Sequence, residues 1–150
     1  MPNWLIPLLQ WGLPFFVTVG GLLIAWRQVE INRRQIRFQF REKRLAVYDA
    51  VMTLVARAVQ KGTVTQEECQ KFARDTKEVA FLFDKKIDEY CRELYNHAVE
   101  VSIAQHVMDT APSSPSYKPC VDKWSEGMMW FVEQDKIAEK LFKPYLQVPD

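Results

Sequence analysis

Glycine and histidine are scarce in this chain of 150 residues, with five Gly and two His. None of the glycines belongs to a Gly-rich phosphate loop, and neither GxSxG nor HExxH occurs, so the usual signatures of nucleotide, serine and zinc hydrolases are missing. His97 and His106 lie nine apart on one expected helix, which turns them to opposite sides at 3.6 residues per turn; they cannot share a metal there. Glu93 and His97 could offer two ligands, but the paired ExxH sequences and additional carboxylates of a di-metal bundle are absent. Cys69, Cys91 and Cys120 show no CxxC spacing and fall on apolar helix faces, as reduced thiols packed in a cytosolic core would. No stretch alternates with period two and no internal repeat is visible, which disfavours a β-rich domain or a solenoid. The expectation is a protein that is not an enzyme and holds no cofactor or metal.

What the chain does have is a long uncharged run, Trp4 to Trp26, 23 residues without an ionisable side chain. A helix needs about 20 mostly apolar residues to cross a bilayer, so residues 1–26 are expected to be a transmembrane segment. Only Met-Pro-Asn precedes the run and no small-residue cleavage pattern follows it, so the span is expected to be retained rather than removed as a signal. Pro7, Pro14 and Gly20-Gly21 are compatible with a plain anchor or with a bent span that contacts neighbouring helices.

Charge is sorted along the chain. Residues 27–44 carry seven Lys or Arg against two Glu, a local charge of +5, whereas the remainder, with 13 basic and 17 acidic side chains, is net −4. Basic residues beside a span favour the cytoplasmic side; this implies a single pass of the inner membrane with the C-terminal domain in the cytoplasm. No helix breaker occurs between Leu22 and Gln60, so the span is expected to run on into a juxtamembrane helix.

Three rows follow from helical spacing in that segment. Arg34, Arg37, Arg41 and Arg44 step by three, four and three, and Gln28, Asn32, Gln35 and Gln39 step by four, three and four. Ile31, Phe38, Leu45, Met52 and Val59 recur every seven residues, as the seam of a packed helix does. The arginine row suits anionic lipid headgroups; it also suits bidentate binding of phosphates in a multiply charged nucleotide. The amide row fits a solvated face, chain-to-chain hydrogen bonds or the wall of a wet passage. A seam calls for a second helix, and hence for a homo-oligomer.

Residues 45–150 read as one cytosolic domain, since the roughly 120 residues left beyond the span suffice for one modest core and not for two. The overall expectation is all-α: a transmembrane helix continuing into a bundle of about four helices. Val51, Leu54, Val55 and Ala58 mark the buried face of the first, which Lys61-Gly62 ends. Thr65 to Glu68 is a capping box opening a second helix to about residue 83, with Cys69, Phe72, Ala73, Val79, Ala80 and Phe83 inward. Asp84 caps a third, about 85–108, burying Ile87, Cys91, Leu94, Ala98, Val101 and Met108. Thr110 to Pro119, with three prolines and three serines, is a loop. A last helix, about 120–142, buries Val121, Trp124, Met128, Phe131, Ala138 and Phe142 and carries Trp130, Ile137 and Leu141 on a second face. Pro144 is expected to end it, with Tyr145 and Leu146 folding back.

Three segments carry a resemblance: Lys43-Arg44 with Val47-Tyr48-Asp49, then Phe81-Leu82-Phe83 with Ile87, Tyr90 and Leu94, and finally Pro144-Tyr145-Leu146. Over residues 38–146 the chain resembles uncharacterised small bacterial proteins with an N-terminal span and a cytosolic helical domain; this implies fold and membrane attachment, not activity. The architecture is also similar to small membrane proteins of prokaryotic antiviral defence, including CRISPR-associated membrane effectors, some of which oligomerise and respond to a cyclic oligoadenylate. By that analogy the first expectation is an oligomeric membrane effector or sensor. Its arginine row takes an anionic signal such as a cyclic oligonucleotide, and the lipid bilayer, further copies of itself and that ligand are its partners. No duplex nucleic acid is expected. The competing expectation is a non-enzymatic scaffold that tethers a soluble protein.

Overall fold

Val47, Val51, Leu54, Val55 and Ala58 repeat at steps of three and four, and all five are buried; this apolar stripe fixes which side of the first helix faces the core. The computed structural model of the protein describes the backbone of residues 5–147 and the side chains of residues 26–147. The described residues form helices α1 (Leu5–Lys61), α2 (Gln66–Asp75), the single turn α3 (Val79–Leu82), α4 (Lys85–Thr110) and α5 (Tyr117–Leu146), with no strand among them. Residues 1–40 make one compact unit and residues 41–150 another. The side chains of residues 1–25, on which the expected span rests, lie outside the described ones. Among the described residues no helix is long and apolar enough to cross a membrane.

Within residues 41–150 the termini of the helices follow their local chemistry. Gly62 takes a left-handed φ of 66° and its N–H donates to the Ala58 carbonyl at 2.9 Å, which closes the end of α1. The expected capping box is present: Glu68 N–H donates to Thr65 Oγ1 at 3.2 Å and Thr65 N–H to Glu68 Oε2 at 3.0 Å. Such caps contribute about 0.5–2 kcal/mol. Asp84 Oδ1 accepts from the Ile87 N–H at 3.2 Å and starts α4 as expected.

The core joins all five helices through Val51, Phe72, Leu82, Ile87, Leu94, Phe131 and Phe142, among others. Complete burial of each large apolar side chain stabilises the fold by roughly 1.5–3 kcal/mol. At the middle of α5, Gly127 is buried against Val101 of α4: a Cβ there would stand 2.5 Å from Val101 Cγ2. The absent side chain sets how closely the two helices approach.

Four expectations are corrected. The helix expected from 65 to 83 breaks after Asp75: the Thr76 hydroxyl and N–H both donate to the Phe72 carbonyl, at 2.8 and 3.0 Å, and beyond it Lys77 N–H turns to the Arg74 carbonyl at 3.5 Å and Val79 N–H to that of Thr76 at 3.0 Å, three residues back instead of four. Ala73 and Ala80 are consequently exposed rather than inward. Helix α5 begins at Tyr117, not near 120, since Pro119 sits in the first turn, where backbone donors have no intrahelical partner. Pro144 does not end α5 either. It removes one hydrogen bond in the last turn, and helical geometry there keeps Phe142, Tyr145 and Leu146 on the core side, so the last two pack from within the helix instead of folding back. Met108, Val121, Trp124 and Met128 are half-buried, and Ile137 is exposed.

Candidate ligand-binding surfaces

The arginine row divides between the two units. In residues 1–40, Arg34 and Arg37 are exposed, and Arg34 Nε lies 3.4 Å from Glu30 Oε1 one turn earlier. An exposed pair of this kind contributes about 0.3–0.5 kcal/mol, so it does not hold Arg34 away from an incoming anion. In residues 41–150, Arg41 is exposed, but Arg44 is half-buried. Its Nε donates to the Leu82 carbonyl at 2.9 Å, and its guanidinium lies 5.7 Å from the Phe83 ring centre and 6.0 Å from that of Tyr145. That geometry is a cation–π seat with one charge-assisted hydrogen bond. Arg44 is therefore occupied by its own chain.

Around Arg44 the three segments that carried the resemblance meet. Phe83 packs edge-on against Phe142 and Tyr145, with ring centres 5.3 and 5.4 Å apart, and Tyr48 is tilted against Phe142 at 5.4 Å. The Tyr145 hydroxyl donates to Asp84 Oδ2 at 2.5 Å. This bond holds the Asp84 carboxyl below its ordinary range, helped by the Ile87 and Lys86 amides, and it raises the Tyr145 hydroxyl. Lys43 Nζ reaches Glu78 Oε2 at 2.7 Å. The Asp84–Tyr145 pair joins residues 61 apart, a distance at which local spacing carries no signal.

Two grooves flank α2. One, about 390 Å³, lies between α1 and α2 and mixes Asp49, Glu68 and Asp75 with Arg57 and Lys71. Glu68 is 9 % exposed and accepts from Lys61 Nζ at 2.9 Å and from Arg57 at 3.4 Å. Burial pushes its carboxyl up, but the Thr65 amide and Lys61 outweigh this and the net shift is downward. Glu68 is paired with Arg57 and Lys61, and the mixture of carboxylates with Arg57 and Lys71 presents no uniform field to a ligand. The other groove, about 380 Å³ between α2 and α4, sets Gln66, Gln70, Tyr95, Ser102 and His106 around Cys69, Val99 and Ile103, a lining without carboxylate, Lys or Arg.

The thiols are placed for packing. Burial raises Cys69, and burial with Asp88 nearby pushes Cys91 up to about 12, so neither is a thiolate near neutrality. Cys120 is half-buried. His97 stacks on Trp130 with ring centres 4.0 Å apart. No group of His, Cys, Asp and Glu able to hold a metal ion occurs among the described residues. The buried Tyr90 hydroxyl has no hydrogen-bond partner. It points to no ligand, being enclosed by the core.

No protein-family model matches the chain, and neither the curated proteins nor the solved structures contain a significant match to it.

Proposed function

We propose that the protein is an assembling, non-catalytic membrane effector. Residues 1–26 anchor it in the inner membrane with residues 45–150 in the cytoplasm, and exposed arginines of the juxtamembrane helix receive an anionic signal such as a cyclic oligonucleotide. Its binding then alters the membrane. The observation that carries this reading is the exposure of Arg34, Arg37 and Arg41 in the one segment where positive charge is concentrated. Guanidinium groups left in water keep their full capacity for bidentate phosphate contacts. Arg44 leaves the proposed set, because its Nε donates to the Leu82 carbonyl and its guanidinium is half-buried against the Phe83 and Tyr145 rings.

Calorimetric titration of the full chain in mild detergent with cyclic oligoadenylates tests the proposal. Binding is expected for the native protein and is lost when Arg34, Arg37 and Arg41 are changed together to Gln. Absence of binding by the native protein would remove the ligand, and recovery of the intact chain in the aqueous fraction of lysed cells without detergent would remove the anchor.

One observation favours a scaffold as the second reading. Phe81 is 86 % exposed on α3, an aromatic anchor of the kind that fills a partner's pocket. A soluble partner whose binding is abolished by Phe81→Ser and unaffected by the arginine changes would decide for it.

A further inference from the structure

Phe81 is the most exposed large apolar side chain among the described residues, at 86 %. It stands on the single turn α3, whose Val79 and Leu82 are buried, so the ring projects from a turn that is itself held in the core. The chain around it is basic. Lys77 precedes the turn, Lys85 and Lys86 follow it, and all three are exposed. Lys43 of α1 lies alongside, its Nζ 2.7 Å from Glu78 Oε2.

This end of residues 41–150 differs in charge from the rest. Segments 41–48, 77–92 and 139–147 meet there through the Arg44 bond to the Leu82 carbonyl, the Phe83–Phe142 ring contact and the Tyr145–Asp84 hydrogen bond. They carry nine basic side chains against six acidic ones, whereas the remainder of residues 41–150 carries seven against twelve. Four of the six carboxylates are engaged: Glu78 by Lys43, Glu89 by Lys85, Asp88 by Arg92 and Asp84 by the Tyr145 hydroxyl. Lys77 and Lys86 form no ion pair among the described residues. The domain is polarised, and Phe81 protrudes at its positive pole.

Shape and charge together choose the occupant. Neither groove of the domain includes any residue from 76 to 86, so a peptide or nucleotide arriving at Phe81 meets a projecting ring and no wall to lie against. An anionic bilayer needs no wall. A phenylalanine ring enters the boundary between headgroups and acyl chains, while lysine stems lie along it with their ammonium groups among the lipid phosphates. The negative remainder of the domain turns the positive pole toward such a surface and the other end away from it.

We infer that the end of the domain formed by α3 and the first turn of α4 docks on an anionic bilayer, with Phe81 in the headgroup region and Lys77, Lys85 and Lys86 on lipid phosphates. The inference requires neither the span proposed for residues 1–26 nor a nucleotide on the arginines.

The test places one environment-sensitive fluorophore on the full chain. Cys120→Ser removes the half-buried thiol, Cys69 and Cys91 being buried. The label is carried by Ala80→Cys, exposed beside an intact Phe81, or by Ser113→Cys, exposed beyond the other end of α4. Each labelled chain is reconstituted, without nucleotide, with vesicles of phosphatidylcholine alone or mixed with phosphatidylserine, both containing lipids brominated on the acyl chains as quenchers. Quenching at position 80 is expected on the vesicles with phosphatidylserine and not on the neutral ones, and at position 113 on neither. Phe81→Ser is expected to lower the ratio of docked to free label about tenfold, and Lys77→Gln, Lys85→Gln and Lys86→Gln together about a hundredfold. Far-UV circular dichroism matching the native chain shows that each variant is folded. A label at position 80 that stays unquenched on anionic vesicles, equal quenching on neutral ones, equal quenching at position 113, or a Phe81→Ser chain that docks as the native one does would each overturn the inference. Shielding of position 80 that appears only when soluble proteins are added would overturn it in favour of a soluble partner. Flotation with the neutral vesicles reports the anchor separately, so failure of the proposed function and failure of the docking are told apart.

Discussion

Replacing Gly127 by alanine tests the packing of α4 on α5 most directly. The added methyl would stand 2.5 Å from Val101 Cγ2, well inside van der Waals contact. Valine is branched at Cβ and held in one strongly preferred rotamer within a helix, so its methyl cannot swing aside and the two backbones must part. Overpacking of this kind costs about 1–3 kcal/mol, while alanine recovers up to about 1 kcal/mol of helix propensity lost at glycine. The net expectation is a destabilisation of about 1–2 kcal/mol, or roughly 4–8 °C in the melting temperature of a domain this size. Thermal and urea unfolding of the full chain in mild detergent, followed at 222 nm, measure it. Val101→Ala alone removes two buried carbons and costs about 1.6 kcal/mol in transfer free energy, with a cavity contribution besides. The double variant places the new methyl in that space. It is expected to be less destabilised than the sum of the single changes by at least about 1 kcal/mol, a coupling that only residues in contact show. Additivity within about 0.5 kcal/mol, or a Gly127→Ala protein more stable than the native one, would refute the close approach.

Tyr145→Phe removes the hydroxyl that holds the Asp84 carboxyl low. The native Asp84 contribution is present above the unfolded value of about 3.9 and fades as pH falls through the lower folded value. The raised Tyr145 hydroxyl contributes below its unfolded value of about 10, and that contribution fades as pH rises through the higher folded one. In the variant, carboxyl NMR should show Asp84 titrating at higher pH, and a titration that does not move would break the assignment of the pair. Tyr90→Phe deletes a buried hydroxyl without a partner, so urea midpoints should be unchanged or higher, with a gain up to about 1 kcal/mol; a loss above about 1 kcal/mol would show that the hydroxyl is bonded. Arg44→Gln should destabilise the domain by about 1–2 kcal/mol through the lost carbonyl bond and ring contacts, whereas Arg37→Gln should leave the same unfolding curve within about 0.5 kcal/mol. Glu68→Gln keeps the cap but loses the charge-assisted bonds from Lys61 and Arg57 and should cost about 1 kcal/mol above pH 5, and the difference should shrink as pH falls through the lowered value of the native carboxyl.

Local chemistry was the readable part of this chain. The stripe from Val51 to Ala58, the capping box of Thr65 and Glu68, and the Asp84 cap are each decided within a few residues, and each is where helical spacing places it. Thr76 was not readable as a break, because a side chain that bonds its own helix looks like any other threonine in a helical pattern. Gln134 is buried although polar, its amide turned back to the Trp130 carbonyl at 3.1 Å. Gly127 is intelligible only once Val101 stands opposite. Of the four arginines in the candidate row, spacing alone made Arg44 equivalent to the others. The ring of Tyr145, about a hundred positions along the chain, is what separates it from them, and no periodicity reaches that far.

The aromatic cluster that seats Arg44 also sets an order of events during synthesis. Phe142 and Tyr145 supply the wall against which Tyr48 and Phe83 close, so the core cannot be completed until α5 has left the ribosome. Until then the apolar stripe of α1 is made but uncovered, and at about 5–20 residues per second that interval lasts for several seconds. A nascent chain with a naked stripe has to be shielded by something else, and any change that delays α5 lengthens its exposure.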